Sequence, residues 1–143
     1  VSDFGQCAVP EPNAGFVAIA AGENFCFATQ FAALFDAMAV DYAQPSVTKV
    51  GGITELMKVM ALSAAHGVRL APHSPYFGPG ALATLHVLAI YPQPAIFEYF
   101  YLWADASMYR NLLKPQNGVL QIPTAPGLGA VPDPDVIARY RVI

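Results

Sequence analysis

The stretch Gln44–Glu55, QPSVTKVGGITE, decides how this chain is expected to fold. It follows a short apolar run and passes through a Gly-Gly pair into a segment with helical spacing, which is how a strand leads into a helix in an α/β protein. The residue at such a strand end commonly points into an active site. Here that residue is Ser46, which cannot act as a base unaided, so its neighbours have to supply the chemistry.

The same strand-to-helix pattern recurs on both sides of this stretch. The apolar runs are predicted to be strands, and the segments between them have helical spacing: strands at 16–24, 39–46, 67–74 and 95–100, helices at 29–40, 54–66 and 79–91. Thr54 is predicted to cap the second helix, Gly67 to end it and Pro79 to open the third. Because the runs barely alternate, we expect strands that are buried on both faces and paired in parallel, with the helices as crossovers.

Polar residues stand at or near the ends of the four runs, at Glu23, Ser46, His73 and Glu98. Their separations are 23, 27 and 25 residues. A barrel of eight strand–helix units has about 31 residues per unit, so the spacing is slightly tight but compatible. An open, doubly wound sheet would also fit the alternation, although no glycine-rich phosphate loop follows any of the runs.

Composition excludes several classes of protein. The chain has 143 residues, of which 55% are hydrophobic and only 12% charged, with a net charge of −3. With no basic run, a nucleic-acid partner is not expected. Charged residues interrupt every long apolar stretch, so we expect neither a membrane span nor a signal peptide, and the predicted location is the cytoplasm. Cys7 and Cys26 lack metal-type spacing, which favours reduced thiols but leaves one disulfide open.

The predicted strand ends carry the residue types of acid/base chemistry. A carboxylate such as Glu23 can bind Mg²⁺, His73 can move protons near neutral pH, and Glu98 can donate a hydrogen bond if it is held neutral. These residues also have ordinary explanations, Glu23 as a loop carboxylate and His73 as a capped loop histidine. Lys49 is explained most simply by an ion pair at the rim of the barrel. His66 is expected at a helix C-terminus, and His86 is expected to be a packing histidine with its hydrogen bonds satisfied.

Six motifs occur in order along the chain: GENF, DYAQPSVTKVGGITE, HGVRLAPHS, ATLHVLA, FE and PGLG. As an ordered set, they resemble the enolase superfamily, in its mandelate racemase/muconate lactonizing enzyme branch. The resemblance covers residues 16–143. It implies that 16–117 form the C-terminal half of a (β/α)₇β TIM-like barrel, about strands five to eight. It also implies that 118–143 are a tail that would pack on an absent capping domain, while residues 1–15 remain unplaced.

The resemblance also implies an activity and a role for individual residues. The family abstracts a proton α to a carboxylate and stabilises the enediolate on Mg²⁺, so the expected substrate is a small hydroxy acid or acid sugar, handled by a dehydratase or racemase. Glu23 matches a metal ligand, His73 the base and Glu98 the acid. Lys49 matches a common lysine beside the sixth strand and is a weaker catalytic candidate, while Asn24 is expected to help shape the site.

Two departures from the family pattern qualify this expectation. Ser46 replaces the aspartate that pairs with the histidine, so it supplies no charge to the imidazole. The first half of the family chain has no counterpart here, and Glu11 lies too close to Glu23 to be the preceding ligand. We therefore expect pairing with a missing N-terminal half or with another copy, and a catalytically incompetent fragment or structural barrel remains the alternative.

Overall fold

The computed structural model describes residues 15, 17–74, 77–94, 96–100 and 106–142. Within them, three short strands form one sheet in chain order, and both neighbouring pairs are parallel. The elements are β1 (Ala20–Ala21), α1 (Ala28–Asp36), β2 (Tyr42–Ala43), α2 (Ile53–His66), β3 (Arg69–Leu70), α3 (Pro79–Ala89) and α4 (Pro134–Tyr140). The predicted alternation of parallel strands and crossover helices is confirmed. None of the helices in these ranges is long and apolar enough to cross a membrane.

The C-terminal end of α2 lies where the sequence predicted it, whereas the N-terminal end does not. Gly67 ends the helix in the left-handed conformation, at φ 70°, as predicted. The predicted cap at Thr54 is wrong, because the helix already begins at Ile53 and Gly52 occupies the cap position. Gly51 and Gly52, with φ of 102° and 97°, let the backbone turn directly into the helix. At α3, the expected proline stands at the start of the helix.

One face of the sheet is buried and the other is open, which corrects the prediction of burial on both faces. Ala43 and Leu70 are paired in register and lie in a core that includes Phe31 of α1 and Leu56 of α2. The residues on the opposite face include Arg69, which is exposed and lies over the Tyr42 ring at 5.9 Å. In the part of the chain that the structure describes, the helices cover only one face of the sheet.

The fourth predicted strand does not form in the described residues 96–100. Pro92 and Pro94 precede the segment and have no backbone N–H to donate to a ladder. Phe97 instead packs against the second apolar cluster, which includes Leu82 and Leu85 of α3. Side-chain packing under α3 therefore holds this segment beside the sheet.

The C-terminal segment contains the short helix α4, and Asp133 joins it to the rest of the chain. The Asp133 carboxylate accepts a hydrogen bond from the backbone N–H of Asp135 at 3.0 Å, and its other oxygen lies 2.6 Å from Nε of Arg110. The pairing with Arg110, followed by the bond from Asp135, lowers the pKa of this carboxyl group. The backbone N–H of Asp133 also donates to Met108 at 2.7 Å.

His66 joins the C-terminal ends of α1 and α2, in agreement with its predicted position at a helix end. Its Nδ1 lies 2.9 Å from the Leu62 carbonyl oxygen, and its Nε2 lies 3.1 Å from Oδ1 of Asp36. Both partners accept hydrogen bonds, so both ring nitrogens have to donate, which requires the charged imidazolium. The bond to Leu62, and then the bond to Asp36, raise the pKa of His66.

His66 is therefore expected to make the stability of the chain depend on pH. A raised folded-state pKa means that the contribution is fully present below the unfolded value of about 6.5 and is lost as pH rises through the folded value. The stability difference between wild type and His66→Gln should be larger at pH 5.5 than at pH 9 in urea unfolding. Asp36→Asn should reduce this pH dependence, whereas a difference that is constant with pH would contradict the assignment.

Candidate active site

The turn that follows β1 carries the first of the predicted site residues. Gly22 adopts φ 114° and packs against the Phe31 ring, so that a Cβ at this position would lie 2.5 Å from a ring carbon. The Phe25 N–H donates to the Gly22 carbonyl at 3.1 Å and closes the turn. Glu23 and Asn24 are thereby presented at the carboxyl end of the sheet.

Backbone hydrogen bonds between neighbouring segments continue beyond the three strands and keep their carboxyl ends aligned. Gln44 donates to Ala21 at 2.9 Å, and His73 donates to Pro45 at 3.1 Å. Ser46 follows directly and is fully buried, with its hydroxyl oxygen 3.0 Å from that of Thr48. The predicted site residues on successive strands thus lie at one edge of the sheet.

Three of the predicted residues come together at this edge. Nδ1 of His73 lies 2.7 Å from Oε2 of Glu98 and 3.3 Å from Oε2 of Glu23. The His73 side chain is 16% exposed, whereas Glu23 and Glu98 are 48% and 41% exposed. Residues that are 50 and 25 positions apart in the sequence are therefore in direct contact, in a place that solvent or a small ligand can reach. An imidazole between two carboxylates can accept a proton and pass it on.

Lys49 lies at the rim of this cluster and interacts with Asn24. Its Nζ is 2.7 Å from Oδ1 of Asn24, and Nδ2 of Asn24 is 3.4 Å from Oε1 of Glu23. The sequence identified both Lys49 and Asn24 as candidates but gave no sign that they meet. No spacing rule connects residues in two different loops, so only the fold could reveal this contact.

The expectation that His86 is a satisfied packing histidine is wrong in one respect. Its Nε2 is buried in α3 and has no hydrogen-bond partner among the described residues. The buried residues of α3 itself are almost all apolar, so the helix provides few side-chain acceptors for this nitrogen. Of the two cysteines, Cys26 is an exposed free thiol, and Cys7 lies outside the described residues, as does Glu11.

A separate cavity lies away from this site. It has a volume of about 460 Å³ and lies near the opposite end of the sheet, where Asp41, His66 and Arg69 are among its lining residues. The two ends of the sheet therefore differ in character, with the cavity at one and the acid/base cluster at the other. We take the cluster as the candidate active site because it brings together the titratable groups that chemistry needs.

The residues described here do not complete a metal site by themselves. Among them, no group of three His, Cys, Asp or Glu side chains is arranged to hold a metal ion. Glu23 is a half-exposed carboxylate and suits one position of a Mg²⁺ site, since Mg²⁺ prefers oxygen ligands. The remaining ligands would have to come from outside the described residues, so we derive no catalytic step through a metal.

Comparisons with known proteins agree on the fold. The family described as "Enolase C-terminal domain-like" matches residues 11–136. D-galactonate dehydratase from Cronobacter sakazakii is 34% identical in an alignment 136 positions long that covers 87% of this chain and 35% of that protein. The chain spans about a third of the length of the curated relatives that it matches.

Two solved structures extend the comparison. A mandelate racemase/muconate lactonizing protein from Paracoccus denitrificans PD1222, complexed with magnesium, superposes with a TM-score of 0.76 at 32% identity, covering 87% of this chain and 34% of that one. L-talarate dehydratase from Polaromonas sp. JS666, complexed with Mg and L-glucarate, superposes with a TM-score of 0.70 at 30% identity, covering 85% of this chain and 32% of that one.

Proposed function

The chain belongs to the enolase superfamily, in its mandelate racemase/muconate lactonizing enzyme branch, and we propose that it supplies the acid/base residues of an enzyme that abstracts a proton α to a carboxylate. The substrate class is an acid sugar or a related hydroxy acid. This proposal is supported by relatives that are acid-sugar dehydratases and by a neighbour that holds L-glucarate. The single observation that carries it is the contact of His73 with Glu98 and Glu23 at the carboxyl end of the sheet.

His73 is the proposed base. Its Nδ1 faces the two carboxylates, so Nε2 is the atom assigned to take the α-proton of the substrate. The low exposure of the imidazole limits competition from water, while the exposed glutamates leave an approach for a ligand. General base catalysis of this kind typically contributes about 10²–10⁴-fold to the rate.

Glu98 and Glu23 have different proposed roles. Protonated Glu98 donates a hydrogen bond to the carboxylate oxygen on which negative charge develops, as a carboxylic acid that is held neutral can do. Glu23 would provide one oxygen ligand to Mg²⁺, and the charge of that ion would stabilise the enediolate. The other ligands of the ion would come from outside the described residues.

Ser46 has a smaller proposed role than the aspartate that it replaces. A serine brings no negative charge, and here its buried hydroxyl lies 3.0 Å from the Thr48 hydroxyl. The acidic group nearest to Nδ1 of His73 is the carboxyl group of Glu98, at 2.7 Å, with that of Glu23 at 3.3 Å. Ser46 then helps to shape the end of β2, and His73 works with a different acidic partner from the one in the usual pair.

The proposal predicts exchange of the substrate α-proton with solvent. The complete enzyme, with this chain joined to the N-terminal part that its relatives have, should be incubated with Mg²⁺ in D₂O. The panel of substrates should include D-galactonate, L-talarate and L-glucarate. Proton NMR should show loss of the α-proton signal, accompanied by a 3-deoxy-2-keto product if the enzyme is a dehydratase. An enzyme that binds Mg²⁺ but exchanges no α-proton in the panel would favour a barrel protein without this chemistry.

A further inference from the structure

Lys49 connects the loops that follow β1 and β2. It lies in a tight turn in which its backbone N–H donates to the Ser46 carbonyl at 3.1 Å, and the next residue, the fully buried Val50, donates to the same oxygen at 2.8 Å. The turn fixes the start of the Lys49 side chain, which crosses to the other loop and places Nζ 2.7 Å from Oδ1 of Asn24. A charged donor at this distance makes one of the stronger kinds of hydrogen bond.

The chemistry of the three groups determines how the Asn24 amide is oriented. An ammonium group can only donate hydrogen bonds and a carboxylate can only accept them. Asn24 must therefore present its oxygen to Lys49 and its NH₂ group to Glu23, which it approaches at 3.4 Å. The reverse orientation of the amide would place two donors together on one side and two acceptors together on the other.

We propose that Lys49 is a positioning residue that acts through Asn24 on Glu23, an assignment that rests on the proposed role of Glu23 as a metal ligand. The Asn24 amide holds Oε1 of Glu23, while Oε2 faces His73 at 3.3 Å. Lys49 thus selects which carboxylate oxygen faces each neighbour and limits rotation of the side chain. Its amine is directed at an amide oxygen rather than at the histidine–glutamate cluster, which favours a positioning role over proton transfer.

A set of four variants tests this proposal by Mg²⁺ binding to the complete enzyme, measured by calorimetry. Partners that orient a metal ligand typically change metal affinity by about 10–100-fold, so Lys49→Met should weaken binding by about this factor. Lys49→Arg keeps a charged donor and should restore most of the affinity. Asn24→Ala should cause a similar loss, and the double variant of Lys49→Met and Asn24→Ala should lose no more than either single variant.

The matched control is Lys58→Met, which removes another exposed lysine. Lys58 is paired with Glu55 three residues earlier on α2, so its loss should leave Mg²⁺ affinity unchanged. Unchanged affinity in Lys49→Met, failure of Lys49→Arg to rescue, or additive losses in the double variant would each overturn the proposal.

A second measurement separates this proposal from the proposed function. The side-chain NH₂ signals of Asn24 should shift in the NMR spectrum of Lys49→Met and return toward the wild-type position in Lys49→Arg, with no metal or substrate present. If these signals do not shift when Lys49 is replaced, the positioning role is wrong even in an active enzyme. If they respond but the enzyme neither binds Mg²⁺ nor exchanges protons, the proposed function fails and the orientation of Glu23 by Lys49 stands.

Discussion

Replacement of His73 by asparagine is expected to reduce α-proton exchange by about 10²–10⁴-fold, which is the usual contribution of a general base. Asparagine keeps a polar group near the position of Nδ1, where the Glu98 and Glu23 carboxylates lie at 2.7 Å and 3.3 Å. It has no basic nitrogen at the position of Nε2. The defect should therefore appear in the rate of proton exchange, measured by NMR in D₂O at saturating substrate, while substrate binding changes little.

Chemical rescue makes the test of His73 specific. In a His73→Gly variant, added imidazole should occupy the vacated space and restore part of the exchange, whereas it should have no effect on the wild type. Lys58→Met serves again as a control, because the pair that it breaks lies on the surface of α2. Exchange that stays at the wild-type rate in His73→Asn would show that His73 is not the base.

The cluster could be predicted from the sequence because parallel strands all point their carboxyl ends in the same direction. Polar groups that follow successive parallel strands meet at one end of the sheet, so Glu23, His73 and Glu98 could be grouped without coordinates. The grouping survives even though residues 96–100 do not form a strand in the structure. Phe97 packs against the apolar cluster that includes residues of α3, and the neighbouring Glu98 lies beside His73.

The features that the sequence did not predict depend on contacts between separate loops or on exact backbone angles. Thr54 has the residue type of a helix cap, but the conformations of Gly51 and Gly52 start the helix before it. Ser46 looked like a loss of charge at the histidine, and only the fold shows that two glutamate carboxylates lie there. Burial on both faces of the sheet was inferred from the weak alternation of the apolar runs, which cannot say whether the second face is covered within the described residues.

The close packing of Gly22 on Phe31 predicts the largest effect on stability. An alanine at position 22 would have to adopt φ near 114°, which costs about 1–3 kcal/mol, and its Cβ would lie 2.5 Å from a ring carbon of Phe31. Overpacking of a well-filled core costs about a further 1–3 kcal/mol. Gly22→Ala should therefore lower the free energy of unfolding by at least about 2 kcal/mol, measured by urea denaturation.

Gly52→Ala separates the two contributions, because Gly52 also has a positive φ, 97°, but no atom within 4 Å of the Cβ that it would gain. It should show the cost of the backbone conformation without the clash. Phe31→Leu removes the ring atoms that the new methyl group meets, so adding it to Gly22→Ala should cost less than the sum of the two single changes. Because Gly22 immediately precedes Glu23, Gly22→Ala should also weaken Mg²⁺ binding and proton exchange by the complete enzyme, and Gly52→Ala should do so less. Equal destabilisation by Gly22→Ala and Gly52→Ala would mean that the Phe31 ring moves aside freely and does not fix the turn that carries Glu23.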